Sequence, residues 1–228
     1  MTPEQRWAWD VTGFLHLRGA LSTDELHLAQ GAADSYITEH ATSGGLEQTE
    51  GGRVWPRGFG VQRTGPDLTV YAHGFAWNPS LEVLTRHPST WAIIMELTDG
   101  RPRFVFGSLM QQTAEHTGLP LHAGSTPGNR EDFRRIWVEE DGQQVRCTDF
   151  VCFVYLSDVH DGDGGLIVCP GSHHASTPMP AGIDLVEHYG LCRLSPLAGD
   201  VIVMPEHLLH GNTPWLPTDR DRRVLALR

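Results

Sequence analysis

From Arg103 onward the chain is cut into short runs of β-branched and aromatic residues, and this feature most narrows what it can fold into. "FVFGSLMQQT", "FRRIWVE", "VRCTDFVCFVYL", "GLIVC", "DVIVMP" and "RRVLALR" follow one another, separated by Gly, Pro, Asp and Asn. Runs of this length bounded by turn formers read as strands. So many short strands in one stretch imply a sandwich or barrel. The first hundred residues have a different texture. Ser22-Thr23-Asp24-Glu25 resembles a helix cap with acids in the first turn, and "LHLAQGAADSYITEH" keeps helical spacing. "PSLEVLTRHPSTWAIIMELTDG" predicts two further short helices, each opened by a proline. The expected layout is mainly β with flanking helices, in a single domain over residues 1–228. Residues 1–100 form its mostly helical part and 101–228 its β core.

Charge narrows the partners. The net charge is -11, and all 17 basic residues are arginine. Such a chain is poorly suited to a nucleic-acid backbone, which needs a basic face. It is equally poorly suited to an acidic carrier protein, so a free small-molecule substrate is expected. No apolar run approaches the roughly 18 residues of a membrane span. The opening "MTPEQRWAWD" lacks the basic-then-apolar pattern of a secretory signal, so a cytoplasmic location is expected. The sequence ends inside its last apolar run, and a tail beyond Arg228 is an expectation. Cys147, Cys152, Cys169 and Cys192 contain no C-x-x-C pair, which leaves buried free thiols as the reading.

Among 13 histidines, two fall where strand-end ligands would. His122 closes "GLPLH", and His210 stands near the end of "GDVIVMPEHLLHG", a buried run leading to a turn. Two imidazoles that leave open positions on one face suit a divalent transition metal. His173 and His174 in "PGSHH" are expected to tolerate replacement.

Four stretches together resemble the phytanoyl-CoA dioxygenase family of iron(II)- and 2-oxoglutarate-dependent oxygenases. They are "DVTGFLHLRGALSTDEL", "YLSDVHDGDGGLIVCPGSHH", "GDVIVMPEHLLHG" and "RDRRVLALR", in family order over nearly the whole chain. The resemblance implies a double-stranded β-helix of the jelly-roll or cupin type. It also implies Fe(II), 2-oxoglutarate and O2 as cofactors, with His122 and His210 as metal ligands. An arginine on the closing strand would clamp the distant carboxylate of 2-oxoglutarate; of Arg220, Arg222 and Arg223, Arg222 is expected to do so, as a bidentate, permanently charged partner. Asn212 stands where the family often has a small hydroxyl residue bonded to the same carboxylate.

The chain departs from the family at Gly124. The family motif is His-x-Asp, and here it reads His122-Ala123-Gly124. Three readings remain open: an inactive barrel kept for binding, an oxygenase with a non-standard ligand set drawing on Asp158, Asp161, Asp163 or Glu206, and a halogenase. The halogenase branch of these enzymes carries Ala or Gly at this position, so the resemblance favours the third. Chloride would then occupy the open position at Gly124, restoring both a ligand and a negative charge. The reaction implied is radical chlorination of an unactivated C–H bond in a small freestanding substrate, a nucleotide or another natural-product precursor. "GGRVWPRGFGVQRTG" offers Arg53, Trp55, Arg57, Phe59 and Arg63 for a flat, phosphorylated substrate, although a solvated lid reads equally well from the same residues.

Overall fold

The structure is a computed structural model that describes residues 1–40, 58–64, 68–114, 117–123, 137–140, 144–147, 149–174 and 190–228, with backbone alone at 62–64, 137–140 and 144–147. Helix α1 (Pro3–Thr12) starts at a capping box in which Thr2 and Gln5 satisfy each other's backbone N–H groups. Strand β1 (Leu15–Leu17) follows, then helix α2 (Thr23–His40), β2 (Gly60–Thr64) and β3 (Leu68–Ala72). Helices α3 (Pro79–Glu82) and α4 (Pro88–Leu97) each open on the proline expected of them. The remaining strands are β4 (Gly107–Gln112), β5 (Leu119–His122), β6 (Trp137–Glu140), β7 (Gln144–Cys147), β8 (Phe150–Tyr155), β9 (Gly165–Val168), β10 (Cys192–Arg193), β11 (Val201–Pro205), β12 (His210–Thr213) and β13 (Arg222–Leu227).

These strands make a seven-stranded sheet in the order β1-β11-β8-β13-β4-β3-β2, a four-stranded sheet in the order β10-β9-β12-β5, and a β6-β7 pair. Side chains from the two larger sheets share one core: Val151, Phe153 and Tyr155 of β8, Ile202 and Met204 of β11 and Val224 and Ala226 of β13 meet Leu166 and Val168 of β9. The architecture is a jelly roll. Alternation puts the other set, Cys152 and Val154, Val201 and Val203, Leu225 and Leu227, against the helices. There α2 presents Ala29, Ala32 and Ala33, small residues that let the helix lie close to the sheet, and the large buried ring of Tyr36.

The boundary expected near residue 100 is therefore corrected. β1, β2 and β3 all lie in the first hundred residues and all belong to the seven-stranded sheet. They are short, and β1 lies between two helices in the part expected to be mostly helical. The cysteines are corrected too: Cys152 is buried, its thiol pushed up to about 12 by burial, whereas Cys169 and Cys192 are half-buried. Among the described residues no helix is long and apolar enough to cross a membrane.

Gly13 ends α1 in the left-handed conformation at φ 82°, and a Cβ there would lie 2.4 Å from His173 Nδ1. Gly13→Ala should therefore cost about 2–3 kcal/mol, the left-handed penalty plus displacement of the imidazole, read from urea unfolding.

Candidate active site

β5 is an edge strand, and its sequence "LPLH" suits that place: Pro120 has no N–H to offer a further neighbour. Opposite it, β12 advances from His210 to Asn212 while β5 advances from His122 back to Leu119, so β5 carries one extra residue. This bulge leaves His122 and His210 as direct cross-strand partners, with ring centroids 4.2 Å apart.

Each ring is oriented in the same way. His122 Nδ1 lies 2.9 Å from the Pro120 carbonyl oxygen, and His210 Nδ1 lies 2.7 Å from that of Leu208. A carbonyl oxygen only accepts, so each Nδ1 carries the proton and donates, and each Nε2 keeps its lone pair. Backbone carbonyls of this kind fix the tautomer and direction of a metal-binding imidazole. Burial, and then the facing His122, push the His210 imidazole down to about 4, so it is neutral at pH 7. Its side chain is buried whereas that of His122 is half-buried, which puts the pair at the margin of the core.

Alternation decides among the three arginines. Arg222 shares its parity on β13 with Val224 and Ala226, which face the interior between the sheets. It is 5% exposed. Its Nη1 donates to the side-chain oxygens of Gln112 and of Asn212, the latter at 3.1 Å, and its Nη2 donates to the Tyr155 hydroxyl at 3.0 Å. Arg223 has the other parity and pairs with Asp34 and Asp221, while Arg220 pairs with Asp163 at 2.5 Å and with Asp219. Arg222 alone of the three lacks a carboxylate partner among the described residues.

Five N–H groups are present. Three are matched by these acceptors; Nε is buried with no partner among the described residues, and it shares one edge of the planar guanidinium with Nη2. That edge is the fork that binds a carboxylate bidentately. Gly165, at φ 96°, lies beside it: a Cβ there would meet Arg222 Nε at 3.5 Å. Asn212 meets Arg222 through its carbonyl oxygen, which leaves its amide N–H groups to donate elsewhere.

Other sequence candidates are placed elsewhere. Asp163 and Glu206 are occupied by Arg220 and Arg228, Asp158 accepts from the Ala198 N–H, and Asp161 is exposed in a turn. Among the described residues no group of three or more His, Cys, Asp or Glu side chains could hold a metal. His173 and His174 donate through Nε2 to the Asp10 carbonyl at 3.0 and 3.2 Å, capping the last turn of α1. Phe59 is 46% exposed and packs edge-on against Tyr36 and Trp77 on the helical side of the large sheet, away from the histidines. Arg53, Trp55, Arg57 and Gly124 lie outside the described residues, as does the side chain of Arg63.

Sequence reasoning missed Gln112 and Tyr155, both buried and both in contact with Arg222. A glutamine at an inward position of an apolar strand was the available signal.

No protein-family model matches this chain, and no curated protein matches it. Solved structures do. HygX from Streptomyces hygroscopicus, with nickel, 2-oxoglutarate and hygromycin B bound, is 24% identical, with a TM-score of 0.74 over 100% of this chain and 86% of that one. The non-heme alpha ketoglutarate dependent carbocyclase SnoK, from nogalamycin biosynthesis, is 16% identical at TM-score 0.69 over 100% and 83%. The epimerase SnoN from the same biosynthesis is 17% identical at TM-score 0.66 over 98% and 81%. The chain thus has the jelly-roll fold of these non-haem, 2-oxoglutarate-handling enzymes.

Proposed function

We propose that this protein is an iron(II)- and 2-oxoglutarate-dependent oxidoreductase of natural-product biosynthesis, acting on a small freestanding substrate and transferring chlorine to an unactivated C–H position. The observation that carries the reading is the buried Arg222, which has no carboxylate partner among the described residues, together with two imidazole lone pairs on the facing sheet. Asn212, which touches Arg222, lies two residues from His210 along β12, ~6.6 Å at strand rise. An extended five-carbon dicarboxylate suits that span, one end at the metal and the other at the arginine. The donor set fits as well: neutral imidazoles suit divalent iron, and a planar guanidinium suits the distal carboxylate.

His122 and His210 would hold the iron through Nε2, and Arg222 the co-substrate. Bound iron, with 2-oxoglutarate and O2, supplies the oxidising power to remove a hydrogen atom from an unactivated carbon. The chain's own contribution is orientation. The carbonyls of Pro120 and Leu208 keep both imidazoles in the ligating tautomer, and Gln112, Asn212 and Tyr155 hold the arginine fork in one direction. Apolar residues of the shared core exclude water from the arginine end.

Chlorine transfer rests on Gly124. No carboxylate stands two residues after His122, and the acids considered as substitutes are engaged elsewhere or exposed. Chloride is the proposed occupant of that position. Anaerobic addition of iron(II) and 2-oxoglutarate should produce a weak charge-transfer absorption band that shifts on adding chloride. Gly124→Asp should remove the chloride dependence and any chlorinated product. A band indifferent to chloride in the wild type ends the halogenase reading and leaves the oxidoreductase. That second reading has support of its own, because SnoK is a carbocyclase and SnoN an epimerase.

A further inference from the structure

The carbonyl that orients His210 comes from irregular backbone. β11 ends at Pro205 and β12 begins at His210, so Leu208 lies in a turn between them, outside any strand ladder. Its direction needs another cause. The Leu208 carbonyl and the Leu209 N–H are the two ends of one planar trans peptide unit, and they point in opposite directions. Whatever holds the N–H therefore aims the oxygen. Ser172 does so: the Leu209 N–H donates to its Oγ at 2.8 Å. At the far end of the same unit, the Leu208 oxygen accepts from His210 Nδ1 at 2.7 Å. The next peptide is clamped as well, since the Leu209 carbonyl accepts from the Cys169 N–H at 2.8 Å. That clamp is backbone, which any residue but proline supplies; the one at Leu209 N–H depends on a side-chain hydroxyl. Ser172 is itself fixed. It opens a short 3₁₀ turn (Ser172–His174) bolted to the end of α1, where the Gly171 N–H donates to the Thr12 carbonyl and His173 and His174 hold that of Asp10.

We infer that Ser172 is a positioning residue for the distal imidazole: by holding the Leu209 N–H it aims the Leu208 carbonyl at His210 Nδ1, and so keeps Nε2 free for a metal. The inference rests on the proposed metal site and extends it to a side chain that touches neither histidine ligand. Without the hydroxyl, the peptide between Leu208 and Leu209 is free to turn over. The ring proton can then move to Nε2, where it covers the lone pair a metal needs.

The test reads the tautomer directly, by nitrogen-15 NMR of the histidine rings in the metal-free protein, and then titrates the same protein with cobalt(II). Wild type should show His210 as a single tautomer protonated on Nδ1. Ser172→Ala should show a mixture and bind cobalt(II) about tenfold more weakly, the size expected when a bond that orients a ligand imidazole is lost. Ser172→Thr, which keeps the hydroxyl, should restore the tautomer and bind within about twofold of wild type. His173→Ala, on the same turn, should lose stability to urea and keep both the tautomer and the cobalt affinity. Should Ser172→Ala fail to fold, Ser172→Cys, a weak acceptor of similar shape, takes its place. A variant without the hydroxyl that loses stability but keeps one tautomer and full affinity overturns the inference, because Ser172 then only tethers the turn. So does a stably folded Ser172→Thr that restores neither readout. Wild type that binds no cobalt(II) removes the underlying site, and the inference with it.

Discussion

Replacing Arg222 by methionine is expected to weaken 2-oxoglutarate binding at least hundredfold, about 2.8 kcal/mol, while leaving iron(II) binding intact. The cause is loss of the buried cation whose open edge would take the distal carboxylate. Lysine should be intermediate, at about tenfold, because one ammonium cannot serve Gln112, Asn212 and a carboxylate together. Arg220→Met and Arg223→Met should change little, since both arginines are already paired with acids away from the interior. Stability separates this account from simple damage. Arg222 is a buried charge with no acidic partner among the described residues, a burden on the fold, so Arg222→Met should unfold at no lower urea than wild type. Calorimetry and urea titration on the same preparations test both halves; a variant that loses binding and stability together points to a structural role for Arg222.

His122→Ala and His210→Ala should each abolish stoichiometric iron by elemental analysis. A site with only two protein ligands retains one after either change. His210 is buried, and its removal also leaves a cavity beside Leu166 and Val168, so a moderate loss of stability is expected with it. His173→Ala is the control: it should lower stability by about 1 kcal/mol through loss of the α1 cap and keep full iron. Full iron in His122→Ala sinks the assignment.

The parts of the candidate site legible in the sequence were those set by residue type and local pattern. His122 closes β5, His210 opens β12 with Asn212 two residues on, and Arg222 opens β13, all in motifs that one sequence can show. What it could not show is which strands become neighbours. The cross-strand pairing of the histidines depends on a one-residue bulge in β5, and nothing in "LPLH" specifies that β12 lies beside it. Gln112 and Tyr155 were overlooked for a related reason. Each sits in an apolar run as an ordinary inward residue, and its meaning comes from the register that sets β13 against both β4 and β8. The strands of the first hundred residues were hidden by brevity, since "LHL" or "LTVYA" beside long helices gives no clear alternation.

Arg222 starts from the seven-stranded sheet and reaches Asn212 on the four-stranded one. The side chain best suited to recognise a carboxylate is thus also a strut between the two walls of the jelly roll. Widening the gap to admit a longer acid would pull the strut from its far anchor, and narrowing it would drive the guanidinium into Gly165. For the proposed co-substrate site, acid size and wall separation are therefore one variable, and a change of acid would require rebuilding both sheets rather than exchanging a single residue.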